Sequence, residues 1–153
     1  MEIFTVSFFG HREIDNAVQV ERNLDEKITE LIRIKQYVEF LVGREGEFDI
    51  LAASVVKRVK KRIDHGNCSL ILILPYMKAE FRDNEKEFLE YFDDVEICEQ
   101  SAKAHFKSAM QIRNRVMVDK FDLIICCIQR KSGGAYKTVQ YAQKQGQTII
   151  NIA

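Results

Sequence analysis

A chain of 153 residues is long enough for one domain that buries a full hydrophobic core without disulfides or a structural metal. Lysine and arginine (23) balance aspartate and glutamate (23), so no global field favours nucleic acid or a membrane surface, and any basic site has to be local. The opening run MEIFTVSFFG lacks the basic start and small-residue cleavage pattern of a secretory signal, and no apolar stretch approaches the ~20 residues of a membrane-spanning helix. A cytoplasmic protein with no membrane partner is expected.

Ile3 to Phe9 reads as a strand, followed by Gly10-His11-Arg12. Asp15 or Asn16 is placed to cap a helix in which Val20, Leu24, Ile28, Leu31 and Ile32 recur at helical spacing. Tyr37 to Val42 forms a second strand running into Gly43-Arg44-Glu45-Gly46-Glu47-Phe48-Asp49. The next helix turns Phe48, Leu51, Ala52, Val55, Val56 and Val59 inward and carries Lys57, Arg58, Lys60, Lys61 and Arg62 on its opposite face. A third strand, Ser69 to Leu74, is stopped by Pro75, the only proline. From Tyr76 to Gln100 the pattern is weakest, with a short acidic helix over Asn84 to Phe92 and an edge strand over Val95 to Cys98. A helix over Lys103 to Asp119, a strand over Phe121 to Ile128, a helix opened by Gly133-Gly134 and a strand over Thr148 to Ile152 complete the chain.

The run Leu123 to Ile128 shows no alternation of apolar and polar residues, as expected of a strand covered on both faces. Helices alternate with strands of this kind throughout. The expectation is one α/β domain over residues 1–153, a doubly wound and mainly parallel sheet with helices on both faces. Ligands of such sheets bind at the carboxyl edge of the strands, and three glycine-containing turns fall there.

The first turn offers Gly10, His11 and Arg12, the second Gly43 and Gly46, the third Ser132, Gly133 and Gly134 with Thr138 one turn later. Glycine lets a ligand approach the backbone, and the free N–H groups of a helix start attract anions. Arginine adds paired, charge-assisted hydrogen bonds to phosphate or carboxylate. His11 either donates to a ligand or caps the neighbouring backbone, and Thr138 either touches a ligand or bonds to its own helix. Glu47 either caps its helix or holds a ribose, whereas Asp49 reads as a cap. Arg113 shares a helical row with Met110 and Met117 and leans towards the protein, which makes it the preferred site arginine over Arg115.

Cys68, Cys98, Cys126 and Cys127 match neither CxxC nor a zinc spacing and read as buried free thiols. No metal and no cofactor is expected. The Lys57 to Arg62 run has no interleaved aromatics and reads as the wet side of an amphipathic helix, so nucleic acid is not an expected partner.

Five segments carry a resemblance to a known family: Phe8-Phe9-Gly10-His11-Arg12, Gly43 to Asp49, Leu74-Pro75-Tyr76, Arg113-Asn114-Arg115-x-Met117-Val118-Asp119, and Gly133-Gly134-Ala135-x-Lys137-Thr138. In these the chain resembles the SLOG superfamily, the Rossmann-like group that includes the Lonely Guy (LOG) enzymes and the DNA-processing A proteins. The nearest likeness is to the small bacterial YpsA-like (DUF1273) members. The resemblance implies a small anionic, nucleotide-like ligand lying across the first-strand loop and the Gly-Gly helix, and it makes a homodimer plausible. LOG enzymes pair a helical arginine, matched by Arg113, with a glutamate after a PGGxGTxxE loop. Here Ser132 replaces the proline, one residue is inserted before Thr138, and Tyr141 or Ala142 stands in the place of the glutamate. The leading expectation is therefore a SLOG-type binding module for a nucleotide or a nucleotide-sugar or ADP-ribose-like ligand. The alternative is a LOG-like phosphoribohydrolase (an N-glycosidase acting on nucleoside monophosphates) with Arg113 and Glu47 as the catalytic pair. A weaker one is a DNA-associated protein.

Overall fold

The computed structural model describes residues 1–153. Strand β1 spans Ile3–Gly10 and is followed by helix α1, Ala17–Ile34. The unit repeats as β2 (Tyr37–Val42), α2 (Glu47–Ile63) and β3 (Cys68–Leu74). Two short helices, α3 (Ala79–Asp83) and α4 (Glu85–Tyr91), lead into β4 (Asp94–Ile97). Then come α5 (Glu99–Ala102), α6 (Phe106–Lys120), β5 (Leu123–Cys127), α7 (Gly134–Lys144) and β6 (Ile149–Asn151).

All strand pairs are parallel, in the order β4-β3-β2-β1-β5-β6. The first four strands step outward from β1 in one direction. β5 then docks on the other side of β1, with Val6 beside Leu123 and Gly10 beside Cys127. That reversal separates the loops after β1 and β5 and opens a crevice at the carboxyl edge.

Two apolar layers hold the sheet. One gathers Val6, Phe8, Phe40 and Leu72 under α1, α2 and the α3–α4 pair; the other packs Phe9, Ile71, Ile124 and Cys126 against α6 and α7. Alternate residues of β5 enter different layers, Ile125 and Cys127 the first and Ile124 and Cys126 the second. This explains its unbroken apolar run. All four cysteines are free and buried, and burial pushes the Cys126 and Cys127 thiols up to about 12 and about 11. No helix is long and apolar enough to cross a membrane.

The structure departs from expectation at three places. Asn16 precedes α1 in the left-handed region, at φ 56°, and its side chain makes no capping bond. The entry to the helix is set instead by Gln129, which accepts from the Asp15 N–H at 2.8 Å and donates to the Asp15 carbonyl at 2.7 Å. α3 and α5 were not anticipated, being too short for a helical period to show. The basic face of α2 is wet but not free. Arg58 and Arg62 both pair with Asp25, at 2.9 and 2.8 Å, and Lys60 pairs with Asp93 at 2.8 Å.

Candidate functional site

Three loops meet at the carboxyl edge, and close packing explains most of their glycines. A Cβ on Gly10 would overlap the Phe48 ring, and one on Gly46 would overlap the Arg12 backbone. These absences let the first turn of α2 press against the end of β1 and the loop after it. The contact is stitched by the Glu47 N–H donating to the Arg12 carbonyl and the Ile14 N–H donating to the Glu47 carboxylate, both at 2.9 Å. On its other side the same loop is held by Gln129 and by Arg130, which donates to the Glu13 carbonyl at 2.7 Å. The rim is therefore held by its own hydrogen bonds.

Between the loops after β1 and β5 lies a cleft of about 540 Å³, bounded on a third side by α6. Gly10, His11 and Arg12 border it together with Ser132, Gly133 and Gly134, so the first and third glycine turns share one space. Gly133 sits at φ 92°, a conformation glycine adopts freely, and α7 begins there with no side chain capping it and no acidic residue in its first turn. Its free N–H groups and helix dipole favour negative charge.

His11 packs beside this helix start. It is 5% exposed, and its Nε2 has no hydrogen-bond partner. A buried polar atom without a partner costs about 1–3 kcal/mol, so an unmet one in a cleft marks a place for a ligand or water. Burial, helped by the nearby Arg130 charge, lowers the imidazole pKa, against a weaker opposing bond to the Arg130 backbone. The lowered pKa favours the neutral imidazole at pH 7, and a bound anion would draw a proton onto it.

Arg113 is 3% exposed and forms no ion pair. Its guanidinium donates to the Ile73 carbonyl at 2.9 Å and twice to Asn114 Oδ1, at 2.7 and 3.2 Å. Asn114 in turn donates to Thr138 Oγ1 at 3.0 Å, and that hydroxyl donates to the Gly134 carbonyl at 2.9 Å. A chain of hydrogen bonds therefore runs from Arg113 to the first turn of α7. Asp49, 8% exposed, lies on the other flank and accepts the Glu45 N–H at 3.0 Å. Burial raises its pKa to about 6, although the Glu45 N–H and the Arg113 charge pull downwards.

The second glycine turn reaches the cleft through Glu45 and Asp49, while its glycines do not border it. Gly43 is smooth so that the Arg113 guanidinium can lie against it, since a Cβ there would come 2.6 Å from Nη1. Gly46 serves the Arg12 backbone, and Thr138 is occupied in the relay to α7. The expected pairing of Glu47 with Arg113 is not assembled either, because the Glu47 carboxylate is engaged by the Ile14 N–H. The carboxylates whose fields reach Arg113 are Asp49 and Glu45. Residues that sequence reasoning passed over include Asn114, Lys107, Gln111 and Arg130, all of which border the cleft. Lys107, Gln111 and Asn114 recur at spacings of four and three, a periodicity that marks one face of α6.

No protein-family model matches the sequence, and no curated protein matches it. Among solved structures the chain is similar to DNA processing protein A (DprA) from Streptococcus pneumoniae, with a TM-score of 0.65 and 14% identity over 96% of this chain and 49% of that one. It is also similar to DprA from Helicobacter pylori, with a TM-score of 0.64 and 16% identity over 95% and 63% of the two chains. The Helicobacter structure concerns that protein's mode of binding single-stranded DNA. The chain thus spans between about half and under two thirds of the length of these proteins, and at such identities the likeness is one of fold. It is a Rossmann-like α/β fold.

Proposed function

We propose that the cleft between the β1–α1 and β5–α7 loops holds the phosphate of a nucleotide or nucleotide-derived ligand, and that the chain is a SLOG-type binding module close to the YpsA-like proteins. The observation that carries this reading is the buried, unpartnered His11 Nε2 beside the uncapped start of α7. Gly133 and Gly134 supply backbone donors, Arg12 and Arg130 supply charge, and Arg113 holds the floor of the site in place. A thermal-shift panel of nucleoside mono- and diphosphates and ADP-ribose tests it. A ligand at a hundred times its Kd adds about 2.7 kcal/mol of stability. The shift should vanish in Arg12→Ala and in Gly134→Val, which crowds the helix start. A panel that moves nothing removes the reading.

A second reading is favoured by the distribution of charge. Arg12, Lys107 and Arg130 border the cleft and none of them forms an ion pair, whereas the α2 cations are mostly paired. The expectation against nucleic acid rested on zero net charge and on that α2 face, and neither describes the cleft. A single strand would use the same donors for successive phosphates, and the ssDNA-binding DprA neighbour shares the fold. Fluorescence anisotropy with a labelled oligonucleotide, set beside the mononucleotide panel, separates the two. The hydrolase alternative has no carboxylate at the α7 position, where Tyr141 bonds instead to Asp119. Release of free base from nucleoside monophosphates is the assay for it, and none is expected.

A further inference from the structure

A second opening, of about 320 Å³, lies between α2 and α4 on the face of the sheet away from α6. Its walls are Ile50 and Ala53 from α2 and Glu87, Phe88 and Tyr91 from α4, and Asp49 also lines it. Ile50 and Tyr91 are substantially exposed, so the walls present apolar and aromatic surface to whatever enters. The cations at the opening are already committed: Arg44 pairs with Glu80 and lies 4.9 Å over the Phe88 ring, and Lys57 donates to the Tyr91 carbonyl and lies 4.1 Å over the Tyr91 ring. Asp49 is not. Its Oδ2 accepts the Glu45 N–H, while Oδ1 has no protein partner although the residue is more than nine-tenths buried.

Acceptor-only carboxylates between largely apolar walls select a flat ring with N–H donors along its edge and reject an anion. A carboxylate accepts two parallel N–H bonds when they are offered side by side. We propose that the α2–α4 groove is a binding site for a heteroaromatic ring bearing adjacent N–H donors, of the guanine type, with its faces against Ile50 and Tyr91 and its donor edge on Asp49. The groove and the anion cleft share one lining residue, Asp49, and no other, so this reading does not depend on what the cleft binds.

Guanosine, which carries no phosphate, is the probe, titrated into the whole chain at pH 8 by calorimetry. The wild type should bind it saturably at submillimolar to millimolar concentration. Asp49→Asn, which exchanges the acceptor for a mixed group of the same size, should weaken binding at least tenfold. Ile50→Trp, at an exposed position where folding is undisturbed, should do so by filling the groove. 1-Methylguanosine, lacking one donor, should bind the wild type at least tenfold more weakly than guanosine. Arg12→Ala should bind guanosine as the wild type does, so failure of the phosphate reading and failure of this one give different results. Absence of saturable guanosine binding, or unchanged affinity in both Asp49→Asn and Ile50→Trp, overturns the proposal. So does a concentration-dependent dimer abolished by Ile50→Trp, which would assign the groove to a second copy of the chain.

Discussion

Arg113 and Asp49 are both nearly excluded from water, yet they do not form an ion pair with each other. Each meets part of its need elsewhere, Arg113 at the Ile73 carbonyl and Asn114, Asp49 at the Glu45 N–H. For Asp49 the loss of hydration outweighs the nearby positive charge, and its pKa rises from 3.8 to about 6. The folded chain therefore holds this proton more tightly than the unfolded one. Stability from this group is fully present below pH ~4 and falls as pH climbs through about 6, by on the order of 3 kcal/mol in all. Asp49→Asn removes that dependence, so it should exceed the wild type by about 1–3 kcal/mol at pH 8 and match it near pH 4. His11 works in the opposite sense, because its lowered pKa withdraws stability as pH falls through the usual imidazole range. It is common to both proteins and cancels in the difference. Urea unfolding of the pair at the two pH values measures the effect.

Arg113 gives a second test at the same scale. Arg113→Met fills much of the volume but leaves the Ile73 carbonyl and Asn114 Oδ1 without their buried donor. At about 1–3 kcal/mol for each of the two unmet groups, a loss of roughly 2–6 kcal/mol is expected from the urea midpoint. An unchanged midpoint would mean that water replaces the guanidinium and that the relay to α7 carries little.

Among the elements, α7 depends on one residue for its start. Gly133 holds φ 92°, and the N–H groups it exposes are the ones assigned to the ligand. Gly133→Ala imposes strain of about 1–3 kcal/mol there and should weaken nucleotide binding more than it lowers Tm, because the loop can relax at the expense of the donors. Gly10, Gly43 and Gly46 look the same in the sequence but are smooth for another reason: Phe48, Arg113 and the Arg12 backbone occupy the space of their side chains. Glycine is demanded equally by a positive φ and by a close neighbour, so periodicity and turn chemistry placed all three turns on one edge but did not separate the glycine with positive φ from the glycines held by packing. The other strands were legible because apolar runs need no tertiary information, whereas β4, Asp94-Val95-Glu96-Ile97 at the sheet edge, gave the weakest pattern. α3 and α5 were not, since five and four residues complete little more than one turn. The Asn16 cap was misread because a distant side chain, Gln129, sets the loop.

Over the whole molecule, zero net charge conceals segregation. Asp25 takes two arginines of α2, and its carboxyl is held well below the usual range chiefly by the Arg62 bond. Arg12, Lys107 and Arg130 have no such partners and border one cleft. Composition sums these populations, and only the fold tells them apart. If a single strand lies in the cleft, the three free cations displace counterions from its phosphates, giving a slope of log K against log salt of about −2 at roughly −0.7 per contact. Arg12→Ala should reduce that slope by about 0.7. Arg58→Ala should leave it unchanged, because that arginine already spends its charge on Glu21 and Asp25. Anisotropy titrations of a labelled oligonucleotide over a range of salt concentrations measure all three. A slope that responds to Arg58 and not to Arg12 would move the nucleic-acid surface from the cleft to the outer face of α2, leaving the cleft to a small ligand alone.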